Sequence, residues 1–296
     1  MKPLAWRSLL FVPAGTGAAD AARLDKAHLR GADALVLDLE DAVGPGDKLS
    51  ARAALPGRIA MLAGRGQEVL VRINRPWRDV AADLEAAVHP GVRALLAPKA
   101  ENPAALAVLS EMIGEWEDAR GLPAGGIGLV AQLEAPGAFA RLDAIAALPR
   151  VVALSIGTED LCLALGTAPG PESLDLPCRM LALAAAAHGR QALGAPISIG
   201  AFRDVDAYAV ATRRARAMGL SGALCIHPAQ VAICNAVHLP SDADRAEAAR
   251  IVSAWHHHAA RGEAVFGLDG CMIDRPVMLR AQRVLDAATP GSAQAG

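Results

Sequence analysis

Along this chain, short apolar runs alternate with longer segments whose apolar residues recur at helical spacing. The runs cover residues 8–12, 34–39, 68–73, 92–97, 127–133 and 151–156, a weaker stretch at 195–199, and 223–226. Continuous apolar runs of this length read as strands buried on both faces. The segments between them read as helices at 20–30, 48–63, 80–88, 103–120, 138–148, 176–188 and 205–218. Gly31 and Pro149 stop two of these, and Pro56-Gly57 is expected to break a third.

Eight strand–helix alternations at intervals of roughly 30 residues argue for parallel strands joined by helical crossovers. The count favours closure into a (β/α)8 TIM barrel over residues 1–240. After residue 240 the character changes. A polar helix covers 241–262, a turn-rich stretch covers 266–276, and a last helix covers 277–287. This segment, 241–296, reads as an appendage to a complete barrel: a C-terminal helical lid, an oligomer contact, or both. Its final TPGSAQAG reads as disordered.

A hydrophobic content of 53% over 296 residues provides for a sizeable core. The net charge of -2 gives no electrostatic case for nucleic acid or an anionic membrane. The five cysteines form no CxxC pair, which suggests free thiols in a reducing compartment. No apolar stretch approaches the roughly 20 residues that span a bilayer, so a cytoplasmic protein is expected. No GxGxxG or P-loop follows a strand, which leaves dinucleotide and nucleotide binding without support.

The polar residues gather where strands end: Glu40, Asp41, Arg72, Asn74, Lys99, Glu134, Glu159, Asp160 and His227. Active sites of such barrels lie on that face. The pattern is clearest in GLVAQLEAPGAFARLDAIAALPRVVALSIGTEDLCLALG, residues 128–166, which reads strand, acid, helix, strand, acid. Glu134 follows one strand; Glu159 and Asp160 follow the next. Parallel strands deliver these acids to one rim, where paired carboxylates suit Mg²⁺. The plainer alternative is a set of loop acids on the surface. Arg72 closes an apolar strand and suits a forked grip on a carboxylate, either a substrate's or a neighbouring acid's. Lys99 is a Schiff-base candidate or a surface lysine. His256, His257 and His258 point in different directions on a helix and read as a solvated face.

The stretches RSLLFVPAG, LDKAHLRGADALVLDLEDAVGPGDKLSAR, VRIN, the 128–166 segment, GLSGALCIHPAQV and GCMIDRPVMLRAQRVL occur in this order. Together they resemble the family of citrate lyase β subunits and malyl-CoA or citramalyl-CoA lyases. The resemblance implies a (β/α)8 barrel, Mg²⁺ held by Glu134 and Asp160, and Arg72 at the substrate. It implies a trimer or hexamer whose C-terminal lid carries Asp274 to a neighbour's site. The activity implied is Mg²⁺-dependent cleavage or condensation of a β-hydroxyacyl-CoA thioester, giving a keto acid and an acyl thioester. Glu40 and Asp41 would hold water on the metal, and backbone N–H groups around Gly157 and Thr158 would bind the substrate carboxylate. Asp274 would transfer a proton at the thioester α-carbon. Ala223 stands where the family pattern GKxxIHP has lysine, and Ala14 where it has glycine. The first change leaves open whether the substrate carries CoA, and how it is held. The competing readings are a metal-free aldolase using Lys99, malate synthesis or thioester hydrolysis on the same scaffold, and a non-catalytic subunit that binds a CoA-like ligand.

Overall fold

The computed structural model describes residues 5–288; the TPGSAQAG tail lies outside the described residues. Eight parallel strands form one sheet: β1 (Ser8–Pro13), β2 (Ala34–Asp38), β3 (Glu68–Arg72), β4 (Val92–Ala97), β5 (Gly128–Leu133), β6 (Val151–Ile156), β7 (Gln191–Leu193) and β8 (Ala223–Cys225). From β1 to β7 each strand pairs with the next, and β1 also pairs with β8. A single parallel bridge, Leu193 to Gly222, closes the ring between β7 and β8. Hydrogen bonds from Ser221 N to Ala192 O (2.9 Å) and Gly194 N to Gly222 O (2.8 Å) hold that seam. Gly222 is required there, because a Cβ would sit 2.1 Å from the Trp6 carbonyl oxygen. The barrel expected from the eight apolar runs is therefore what the chain builds.

Strand residues alternate between two cores. Leu35, Leu37, Val69, Val71, Leu95 and Leu129 pack outward against the helices. Leu9, Val36, Leu70, Leu96, Val130 and Leu193 fill the barrel interior. Burial on both sides is why the strands read as unbroken apolar runs.

The crossover helices are α1 (Ala18–Ala27), α2 (Lys48–Gly64), α3 (Trp77–Ala87), α4 (Pro103–Ala119), α5 (Pro136–Phe139), α6 (Leu142–Ala146), α7 (Thr158–Leu165), α8 (Pro171–Ala187), α9 (Val205–Met218) and α10 (Pro228–His238). Several differ from the sequence reading. Helix α2 runs unbroken through Pro56. An interior proline costs about 3 kcal/mol, but Ala51, Leu55, Ile59 and Leu62 are fully buried along one face. Burying a leucine or isoleucine contributes roughly 1.5–3 kcal/mol each, so packing outweighs the proline. The helix expected at 138–148 is instead two short ones, α5 and α6. Helix α7 and helix α10 were not legible, and α8 begins earlier than expected, at Pro171.

The seventh strand is also corrected. It is Gln191–Leu193, not 195–199. Gln191, Ala192 and Leu193 pair with Ala153, Leu154 and Ser155 of β6. Pro196 has no N–H to continue the ladder.

The chain divides into two compact units at Ala236/Val237. The second contains α11 (Asp242–Ala259), an antiparallel hairpin of β9 (Phe266–Leu268) and β10 (Cys271–Ile273), and α12 (Arg275–Ala288). Helix α11 opens with a capping box between Ser241 and Asp244. Ala248, Val252 and Ala281 form this unit's small core. No helix among the described residues is long and apolar enough to cross a membrane.

Candidate active site

The C-terminal ends of β2 to β6 deliver a connected set of charged side chains. Arg72, closing β3, is half-enclosed by acids. Its Nε and Nη2 fork onto Asp38 Oδ1 and Oδ2 at 2.7 and 2.6 Å. Its Nη1 lies 2.9 Å from Glu40 Oε2 and 3.7 Å from Asp41 Oδ2. The guanidinium also rests 4.7 Å over the Phe11 ring. The fork is thus engaged by a neighbouring acid, and the Nη1 edge faces Glu40 and Asp41. Burial opposes the charged guanidinium, but the bond to Asp38 and the surrounding carboxylates outweigh it and raise its pKa.

The loop after β2 is held rigidly. Asp38 accepts from the Glu40 N–H at 2.9 Å. Lys48 Nζ donates to the carbonyls of Leu39 and Glu40 at 2.6 Å each and to Asn74 Oδ1 at 2.7 Å. Asn74 in turn donates to Leu39 O and to Asp83.

Glu134 follows β5 and is 7% exposed. Its Oε2 accepts from the Lys99 backbone N–H at 2.6 Å, and its Oε1 from Gln132 Nε2 at 2.5 Å. Lys99 reaches that position with a left-handed backbone, φ 51°, a conformation that costs a non-glycine residue roughly 1 kcal/mol or more. Its ammonium stands 3.7 Å from Glu40 Oε1 and 3.6 Å from Asp160 Oδ2. Gly157 lies against Glu134 so closely that a Cβ there would meet Glu134 Cγ at 2.4 Å. Thr158, Glu159 and Asp160 form the first turn of α7, directly after β6. Glu159 is fixed sideways by Ser198 Oγ at 2.6 Å.

The charges do not balance. Burial raises the Glu40 pKa to about 7, aided by Asp41 and Glu134 and opposed by Arg72 and Lys99. Burial also raises Glu134, opposed by the Lys99 N–H. Burial would lower Lys99, but Glu40 and Asp160 reverse this and raise it. The Lys99 ammonium is thus engaged by two carboxylates.

A cavity of about 330 Å³ opens on this face. Asp41, Arg72, Glu134, Gly157, Thr158 and Asp160 all line it, and Glu40 joins them through Arg72 and Lys99. The structure therefore gathers Glu40, Asp41, Arg72, Glu134, Gly157, Thr158 and Asp160 on one face, whereas Asn74 holds the loop after β2. Asp274 belongs to the second unit, where its Oδ1 accepts from Val277 N at 3.0 Å and caps α12. His227 organises the rim: its Nδ1 accepts from Ala229 N, and its ring stacks on Phe202. Sequence reasoning missed Asp38, Lys48 and Gln132. Asp38 sat visibly in LDLED. Gln132 was hidden inside an apolar run, although a buried amide there needed an explanation. Its Oε1 has no hydrogen-bond partner.

Among the described residues, no group of three or more His, Cys, Asp or Glu is arranged to hold a metal. Mg²⁺ does not require one. It commonly takes one or two carboxylates, with water and substrate oxygens completing the set. Glu134 and Asp160 supply hard oxygens beside buried carboxylates that are short of positive charge. That donor set fits a divalent cation.

Eight parallel strands closed into a ring, with an acid-lined cavity at their C-terminal ends, define a (β/α)8 barrel with its site on the usual catalytic face. The chain belongs to the HpcH/HpaI aldolase/citrate lyase family, whose model matches residues 7–228. It is 33% identical over 290 residues to a citrate lyase subunit beta-like protein of Deinococcus radiodurans, covering 96% of this chain and 97% of that one. It is 32% identical over 288 residues to a (3S)-malyl-CoA thioesterase of Cereibacter sphaeroides, covering 96% and 94%. The CitE protein of Mycobacterium tuberculosis, solved with magnesium, acetoacetate and coenzyme A, superposes with a TM-score of 0.74. The two are 29% identical, over 96% of this chain and 98% of that one.

Proposed function

We propose that this chain is a Mg²⁺-dependent carbon–carbon lyase that cleaves, or forms, a β-hydroxyacyl thioester of CoA type. The observation that carries this reading is the delivery of Glu134 and Asp160 by successive strands to one cavity that Arg72 also lines. The magnesium, acetoacetate and coenzyme A of the Mycobacterium tuberculosis relative support it.

In cleavage, the β-hydroxyl loses its proton and becomes a carbonyl. The electrons of the broken C–C bond pass to the thioester enolate, which then takes up a proton. Mg²⁺ bound at Glu134 and Asp160 would supply Lewis acidity to the keto-acid oxygens. Gln132 and the Lys99 N–H fix both oxygens of Glu134, so this ligand is oriented before substrate arrives. Arg72, with its Nη1 paired to Glu40, lines the cavity and supplies a fixed positive charge beside the charge that develops there. The Thr158 backbone N–H, at the start of α7, receives the substrate carboxylate; the Gly157 N–H, expected to join it, is instead held by the Leu133 carbonyl at 2.9 Å. Asp274 carries the proton at the α-carbon, and Glu40 and Asp41 orient water.

Thioester hydrolysis is the second reading, favoured by the Cereibacter sphaeroides relative. Incubation with malyl-CoA and Mg²⁺ separates the two. A lyase releases a keto acid and an acyl-CoA, whereas a thioesterase releases free CoA and malate. Free CoA and malate as the only products would overturn the lyase assignment.

A further inference from the structure

The cavity has a second half that the chemistry above does not use. Every charged residue lining it, namely Asp38, Asp41, Arg72, Glu134, Glu159 and Asp160, comes from the ends of β2, β3, β5 and β6. The wall on the β7–β8 side carries none. It is built from Ile156, Ala195, Ile197, Ile199, Ala223 and Leu224, with Tyr208 of α9.

These residues do not belong to one core. Ile156, Ala195, Tyr208 and Ala223 lie in the layer between strands and helices, whereas Leu224 and Ile199 lie in the barrel interior. The cavity is therefore lined by side chains from both. This wall follows from the fold: the β7–β8 seam is short, held by the Leu193–Gly222 bridge and two backbone hydrogen bonds, and beyond Leu193 the chain leaves the sheet. The apolar wall adjoins the acids. Gly157 is packed on Glu134, and Gly194 is packed on Ile156, where a Cβ would lie 2.3 Å from Ile156 Cγ2. On the same wall, Tyr208 is 2% exposed, with its hydroxyl 4.0 Å from Cys234 Sγ.

An arm of this composition does not take a second carboxylate, because no cation in it would offset the loss of hydration. Hydrocarbon gains from entering it. We propose that the arm receives an alkyl chain longer than methyl, carried on the carbon next to the carbonyl of the keto-acid half. Ala223 is part of the arm's lining. The proposal rests on the keto-acid reading of the acidic half and names its substrate class: an alkyl keto acid rather than a dicarboxylic one.

Calorimetric titration of the whole protein in Mg²⁺ tests this with glyoxylate, pyruvate, α-ketobutyrate, α-ketovalerate and oxaloacetate. Affinity rises by about fourfold with each added methylene, and oxaloacetate binds more weakly than α-ketovalerate. Ala223→Leu fills the arm, so the ratio of α-ketovalerate to glyoxylate affinity falls toward one. The wild-type series stands without that variant. A flat or falling series, with glyoxylate or oxaloacetate bound tightest, overturns the alkyl arm and leaves the keto-acid site intact. Failure of every acid to bind overturns both.

Discussion

The state of each site residue follows from its immediate neighbours. Arg72 is the clearest case. A strand-ending arginine was expected to fork onto a carboxylate, and it does, but the carboxylate is Asp38 of the adjacent strand. Asp38 and Arg72 are register partners in β2 and β3, so the pairing is set by the sheet. Lysine keeps the charge and cannot reproduce the fork. Arg72→Lys is therefore expected to keep its fold and to lose at least about tenfold in keto-acid affinity, the scale for a positioning contact. Titration with pyruvate or oxaloacetate alongside a thermal melt checks this. Unchanged affinity would leave Arg72 with the structural role alone. Lys99 shows how position and environment combine: a left-handed backbone aims its N–H at Glu134 while its ammonium joins Glu40 and Asp160.

At the scale of elements, stability and legibility have one cause, the burial of strands on both faces. Unbroken apolar runs made seven of the eight strands readable, and their ends pointed to Glu134, Asp160 and Arg72. The short β7 was misplaced because three residues carry too little pattern, and the apolar stretch after it lines a cavity instead of pairing. Helix α7 was missed because an acidic strand end resembles a loop; Gly157 and Gly166 bound it at either end. Glu117 illustrates what joins the elements. Located in α4 and 1% exposed, it accepts from the N–H groups of Gly125 and Ile127 before β5 and pairs with Arg150 before β6. Burial alone would raise its pKa, but the Arg150 pair and the two N–H bonds prevail and lower it from the ordinary 4.5. A depressed carboxylate pKa contributes stability above the unfolded value and loses it as pH falls through the folded value. Glu117→Gln is expected to cost roughly 3 kcal/mol at neutral pH, the scale for breaking a buried pair. In denaturant unfolding, the gap between wild type and variant should close as pH falls below 4.5. A gap independent of pH would show that packing, not charge, sets the cost.

For the whole molecule, Glu134 and Asp160, the proposed metal ligands, lie in the barrel, and Asp274, the proposed proton carrier, belongs to the second unit. As a cap, Asp274 is replaceable by asparagine, which caps about as well. As a proton carrier it is not. Asp274→Asn is expected to lower turnover by at least about 100-fold while Mg²⁺ binding persists. If the second unit serves a neighbouring barrel, mixing Asp274→Asn with Glu134→Ala chains restores part of the activity. Normal turnover in Asp274→Asn would reduce the residue to its cap. The central claim concerns the metal and is tested most directly by calorimetric titration with Mg²⁺. Burial opposes the ionised form of Glu134, so its removal is not expected to unfold the barrel. Wild type should bind Mg²⁺, and Glu134→Ala and Asp160→Ala should each show no binding while remaining folded. Equal Mg²⁺ binding by wild type and both variants would contradict the account.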